Sequence, residues 1–288
     1  GGKEYLYRTF HAAVGEIPVG AVNHNLDIRP SDLMSSLRVF FGDGASYTSC
    51  CQQELVEFMA SSKSGHAHAD LACGAGKSMA WTLPVAARLL SGRRASSKCT
   101  IVVSPYKFLS AFQTEAAANF LNNMVDAWIV ALNASDFQRH LIPDVLSVDD
   151  VLPDLLFLTI DALAAFMSRH RSRLACLCRN RCINHFIIDE IHAILVEGFR
   201  PAYESLAQLP SFGVSILTMS GSLPRQLRDC VLSYVGTISD DVGGANSCVD
   251  TKVIGGGDLL GNFQSDFTFG CRVVDSPREL SVRTIRKR

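Results

Sequence analysis

The segment Leu71-Ala72-Cys73-Gly74-Ala75-Gly76-Lys77-Ser78 constrains the fold more than any other. It reads as a phosphate-binding loop that opens a helix. Gly74 and Gly76, on either side of Ala75, leave the backbone free to curl and turn successive N–H groups inward. Lys77 can then reach the β- and γ-phosphates of a nucleotide, and the Ser78 hydroxyl can hold Mg2+. The positive end of the following helix adds to the anion site. Only the shorter G-x-G-K-S core is present, because Leu71 stands where the full phosphate-loop pattern has a glycine.

A second stretch supports the first. His185-Phe186-Ile187-Ile188-Asp189-Glu190-Ile191-His192 is an apolar run that ends in an acidic pair. Such a run suits a buried parallel strand. Carboxylates at its C-terminal end lie where open α/β sheets bind ligands. Asp189 can hold Mg2+ through water, and Glu190 can polarise an attacking water. The competing reading, a strand ending in solvated acids, is weakened by the G-K-S loop upstream.

The chain has 288 residues, 48% of them hydrophobic and 19% charged, so a sizeable core is expected in one large domain or two smaller ones. A formal net charge of −1 gives no global field toward nucleic acid, so any such binding must use local patches. No apolar run approaches membrane-spanning length and no secretory signal is visible. Ten scattered cysteines suit reduced thiols inside a cell, so an intracellular location is expected, nuclear if the source is eukaryotic.

Residues 1–36 show no clear period and read as an irregular lead-in. An amphipathic helix is expected over 51–59, carrying Gln52 and Gln53, either of which could pair with an adenine edge or simply lie on the surface. The strand before the phosphate loop, 66–71, has few β-formers, and its alternating His66 and His68 read as surface histidines. A helix over 79–90 carries Pro84 and should kink there. Strands are expected over 100–105, 127–132, 155–159 and 214–219. Helices are expected over 107–121, with Phe108, Leu109 and Phe112 as its apolar face, from 162, and over 226–234. Residues 136–151 read as polar loop.

Arg169, His170, Arg171, Arg173, Arg179 and Arg181 form a basic run, either a phosphate-backbone patch or a solvated helix face. Cys176, Cys178 and Cys182 with His185 have the wrong spacing for a zinc knuckle. Residues 236–261 read as linker or disorder. Strands alternate with helices from about 66 to 235, which predicts an α/β fold with a doubly wound, mostly parallel sheet.

The order of these motifs resembles superfamily 2 helicases, and among them the RecQ-like family. Gly74 to Ser78 matches motif I, and Leu83-Pro84 an apolar-Pro pair that follows it. The segment 100–105 with Leu109 and Gln113 resembles motif Ia. Residues 131–135 resemble the short Asn-Ser segment after it. Phe157-Leu158-Thr159-Ile160-Asp161 resembles motif Ib, Asp189-Glu190-Ile191-His192 is a DExH motif II, and Ser220-Gly221-Ser222 stands for motif III. Phe199-Arg200-Pro201-Ala202-Tyr203 resembles the end of the RecQ-like aromatic-rich loop. The segment 193–198 is shorter than usual and lacks the family's Trp-Gly-His. Gln52 lies near the place of the adenine-reading glutamine, with Ser49 where an arginine is usual.

The resemblance covers about residues 37–236 and implies a RecA-like, ATP-binding domain there, with 237–288 a linker or the start of a second RecA-like domain that is otherwise missing from this chain. It implies ATP and Mg2+ as cofactors and single-stranded or partly duplex DNA as partner. It assigns catalysis to Lys77, Asp189 and Glu190, and nucleotide binding to Gln52 and to Gly74, Ala75, Gly76, Lys77 and Ser78. It assigns Mg2+ binding to Ser78 and Asp189, and coupling to His192, Ser220 and Ser222. DNA contact falls to Ser104, Pro105, Thr159, Phe199 and Arg200. Three readings stand at this point: half of a 3′–5′ DNA helicase, a decayed remnant that binds without turnover, and a phosphate-loop ATPase unrelated to nucleic acid.

Overall fold

A computed structural model describes residues 28–61, 65–72, 74–92, 98–138, 152–237 and 251–255. The strands are β1 (His66–Asp70), β2 (Cys99–Ser104), β3 (Ile129–Leu132), β4 (Leu155–Thr159), β5 (Ile183–Ile188), β6 (Ser215–Ser220) and β7 (Thr251–Gly255). They form one seven-stranded sheet in the order β3-β4-β2-β5-β6-β1-β7, and every pairing is parallel. The expected α/β fold with a doubly wound parallel sheet is therefore observed. Because all strands point one way, Asp70, Ser104, Thr159, Ile188 and Ser220 end at the same edge.

The helices are α1 (Pro30–Phe41), α2 (Cys50–Ala60), α3 (Met79–Leu90), α4 (Lys107–Leu121), α5 (Ala134–Gln138), α6 (Ile160–Arg179), the single turn α7 (Ile194–Glu197) and α8 (Arg225–Val235). A 3-10 segment, Pro201–Phe212, lies between α7 and β6. Alternate residues of the strands feed two cores. Ile101, Val103, Leu156, Leu158, Phe186 and Ile188 pack with α6, the 3-10 segment and α8. Val102, Leu155, Phe157, Ile187, Leu217 and Met219 pack with α2, α3 and α4. Phe157, Phe166 and Phe186 are fully buried, and each contributes roughly 1.5–3 kcal/mol by leaving water.

Several expectations are corrected. Residues 30–36 are helical, since Pro30 fits the first turn of α1, where its missing N–H costs nothing. Leu33 and Leu37 of α1 pack on Leu83 and Ala87 of α3. Residues 136–138 of the expected loop belong to α5, and 139–151 lie outside the described residues. The expected linker contains β7, which pairs with β1 and buries Ile254. β1 is not a weak strand, for it is held between β6 and β7, and its alanines give room for Trp81 in the same core. His68 is fully buried rather than at the surface.

The α4 face expected to be buried is turned outward. Phe108 and Phe112 are 73% and 68% exposed, while Ser110, Ala117 and Leu121 face inward. Within the basic run, Arg171 donates to Gln208 and lies 5.5 Å over the Phe212 ring, so it fastens α6 to the 3-10 segment.

One buried ion pair ties the layers together. Arg88 of α3 meets Asp154 just before β4, and the second Asp154 oxygen accepts from Trp128 N at 2.9 Å.

Candidate active site

The phosphate loop leaves β1 and enters α3. Gly74 and Gly76 have φ of +81° and +78°, a region that side-chain-bearing residues avoid, so the glycines are required. Leu71 N donates to Ser220 O at 3.0 Å, which pins the start of the loop to the end of β6. Ser78 is exposed at the start of α3, its hydroxyl unused in capping the helix.

Gln52 comes to this loop from α2. Its Oε1 accepts from Thr48 N at 2.8 Å and from Thr48 Oγ1 at 3.0 Å. Its Nε2 would lie 2.1 Å from a Cβ placed on Gly76. The amide thus covers the loop. Ser49, found where the resemblance has an arginine, caps α2 by accepting from Gln52 N at 3.1 Å.

The acidic pair follows β5 at the same sheet edge. Glu190 has φ +50° and ψ +46°, a left-handed conformation that is costly for glutamate. Its Oε1 lies 3.4 Å from Lys77 Nζ, and its Oε2 lies 3.1 Å from His192 Nδ1. His192 Nδ1 is also 3.0 Å from Ser220 Oγ, which accepts from Ser222 N at 3.2 Å. One unbroken set of contacts therefore joins Lys77, Glu190, His192, Ser220 and Ser222.

Asp189 is buried beside this set. Its Oδ2 accepts from Gln113 Nε2, and its Oδ1 is buried with no hydrogen-bond partner. Burial, with Glu190 adjacent, raises its pKa, while Lys77 and Gln113 act in the opposite direction. An orphaned carboxylate oxygen, beside a phosphate loop whose Ser78 hydroxyl is exposed, fits a hard divalent cation with oxygen ligands. Gln113 is a site residue that sequence reasoning did not assign.

The DEAD/DEAH box helicase family model matches residues 50–230. The chain belongs to that family. No curated protein matches it. Among solved structures it is similar to the DUF1998 helicase MrfA bound to DNA, at 14% identity and TM-score 0.55, over 77% of this chain and 29% of that one. It is also similar to Mss116p bound to ssRNA and AMP-PNP, at 16% identity and TM-score 0.52, over 73% of this chain and 41% of that one. The chain thus spans well under half the length of either, and at these identities the likeness speaks for the fold alone.

In this helicase domain the residues expected at DNA part company. Ser104, Pro105 and Thr159 are buried. Ser104 Oγ donates to Gln113 Oε1 at 2.5 Å, and Thr159 caps α6 by accepting from Ala162 N at 3.2 Å. The Ser104 and Thr159 hydroxyls are thus engaged inside the fold, at the sheet edge where their strands end. Phe199 is 83% exposed and does not pack in the core. Tyr203, the other aromatic of this segment, is buried, with Arg200 5.8 Å over its ring. Arg200 pairs with both Asp161 and Glu197. Tyr106, stacked on Phe108 at 5.5 Å, hydrogen-bonds Glu197. No helix among the described residues is long and apolar enough to cross a membrane.

Proposed function

We propose that this domain is the ATP-binding half of a RecQ-like, ATP-dependent 3′–5′ DNA helicase, working against a second RecA-like domain. The observation that carries the nucleotide site is the meeting of Lys77 and Glu190 at 3.4 Å beside Asp189 with its free Oδ1. Lys77 is freed from Glu190 to hold the β- and γ-phosphates, and Glu190 then orients the attacking water. Gly74, Ala75 and Gly76 offer backbone N–H groups, and Gln52 borders the same loop. Ser78 and Asp189 would hold Mg2+, which supplies charge neutralisation of the phosphates. His192, Ser220 and Ser222 link Glu190 to the end of β6, a route for coupling. The Phe199-Arg200-Pro201-Ala202-Tyr203 segment supports the RecQ-like assignment, and exposed Phe199 suits base stacking. Pairing of β1 on both edges removes one ground for the remnant reading, a weak strand before the phosphate loop.

Calorimetry should find Mg-ATP binding that Lys77→Ala removes, because the ammonium is the main charge facing the phosphates. Equal affinity in the variant would overturn the site. Hydrolysis by this chain alone should be slow, since an arginine from outside supplies roughly a thousandfold or more in related NTPases. A second RecA-like domain should restore turnover, and Glu190→Gln should then abolish it while leaving ATP bound. Unwinding of 3′-tailed but not 5′-tailed duplex, with DNA against RNA tails, tests polarity and substrate together. Preference for RNA or for 5′ tails would refute the RecQ-like assignment and leave the nucleotide site standing.

A further inference from the structure

We propose that Gln113 is the positioning residue for the metal-binding carboxylate: it holds Asp189 Oδ2 so that Oδ1 stays turned to the cation that accompanies the nucleotide. This rests on the ATP-site reading above. An ionised carboxylate only accepts, so the Gln113 amide must offer its NH2 to Asp189. Its carbonyl then points the other way and needs a donor. Ser104 supplies one, its hydroxyl 2.5 Å from Gln113 Oε1 at the end of β2. Each polar end of the amide is therefore matched, and its orientation is fixed.

The Asp189 backbone is already anchored, with its N–H donating to Val103 O at 2.9 Å. The freedom left to the side chain includes rotation of the carboxylate about χ2, a broad torsion with little preference of its own. Gln113 removes that freedom by engaging one oxygen and leaving the other bare. A residue that captured both oxygens would compete with the cation. A hydrophobic one would let the carboxylate swing. Outer hydrogen bonds of this kind change metal affinity by about 10–100-fold.

The test uses the whole 288-residue chain, with Mn2+ standing in for Mg2+ and a fluorescent, non-hydrolysable ATP analogue. Gln113→Leu, and Gln113→Met as a second uncharged variant, should keep metal-free analogue affinity within about twofold. Mn2+ affinity of the analogue complex, read by electron paramagnetic resonance, should fall about tenfold, with a changed line shape. In an Asp189→Asn background, Gln113→Leu should cause no further loss. Retained Mn2+ affinity in both variants, or equal loss of metal-free and metal-bound affinity, overturns the positioning role. If the parent chain binds no analogue at all, the ATP site itself is wrong and the positioning role falls with it.

Discussion

Lowering the pH should destabilise this domain through His68, and the structure sets the size of the effect. His68 Nδ1 lies 2.9 Å from Thr218 Oγ1. The Thr218 hydroxyl also lies 3.3 Å from Ala67 O. Nε2, on the other side of the ring, is buried with no partner, so charging the imidazole would leave a buried N–H without an acceptor. Burial pushes the His68 pKa down to about 4, and the Arg228 guanidinium adds to the same direction. The unfolded chain, with a pKa of about 6.5, binds the proton first. Stability is therefore fully present above pH 6.5 and is lost as the pH falls toward 4. At pH 5 the gap corresponds to about 1.5 pK steps, or about 2 kcal/mol. Urea denaturation at pH 7.5 and 5.0 measures it. His68→Gln should lose about 2 kcal/mol less than the parent across that interval. His185, held down to about 3 by burial, contributes equally to both proteins. An equal loss in variant and parent would refute the assignment of the charge-free state to this strand.

Gly76→Ala should abolish nucleotide binding in calorimetry, because the new Cβ would sit 2.1 Å from Gln52 Nε2 at a φ of +78°. Adding Gln52→Ala relieves the clash but not the backbone strain, so recovery should be partial. Arg88→Ala should cost about 3–5 kcal/mol in urea denaturation, because it leaves Asp154 buried without its cation. Phe199→Ala should change stability by less than about 0.5 kcal/mol. It should also weaken stimulation of ATPase activity by single-stranded nucleic acid in the helicase with both RecA-like domains, since stacking is worth roughly 1–3 kcal/mol per base. A large fall in melting temperature with stimulation intact would make Phe199 structural.

The parts of this domain that were legible in the sequence are those where local chemistry decides. A G-x-G-K-S loop needs glycines at positive φ, and an apolar run ending in Asp189-Glu190 needs a parallel sheet on both sides. The less legible parts depend on neighbours. His66-Ala67-His68-Ala69-Asp70 has the composition of a loop, yet β6 and β7 supply hydrogen bonds on both edges and cores cover both faces. Thr251-Lys252-Val253-Ile254-Gly255 follows a Gly-, Asp- and Ser-rich stretch and becomes a strand because β1 offers an open edge. The Pro30 start of α1 was missed, although its Pro-Ser-Asp opening carries a helix-start signal. The outward turn of Phe108 and Phe112 was not legible, since an aromatic pair four residues apart marks a face without saying which way it points.

That outward turn bears on how the site is built. α4 carries Phe108 and Phe112 in solvent and Gln113 against Asp189. The segment before it places Ser104 inside, on Gln113, and Tyr106 outside, between Phe108 and Glu197. Glu197 in turn holds Arg200, which holds Asp161 at the start of α6. The exposed aromatic surface thus shares α4 with the Gln113 contact to Asp189 on one side and reaches α6 through the Glu197–Arg200–Asp161 network on the other. A strand of nucleic acid that displaced Arg200 from Asp161 would act on a side chain two ion pairs deep, whereas one that tilted α4 would act directly on Asp189 through Gln113. The second route is shorter and consists of hydrogen bonds with fixed direction. The Gln113 contact is therefore the first place to test for coupling between the aromatic surface and the nucleotide site. In the two-domain helicase, Gln113→Leu should weaken nucleic-acid stimulation of ATPase activity more than Arg200→Ala, with basal rates compared at saturating Mg2+. The reverse order would place the coupling in the Arg200 network.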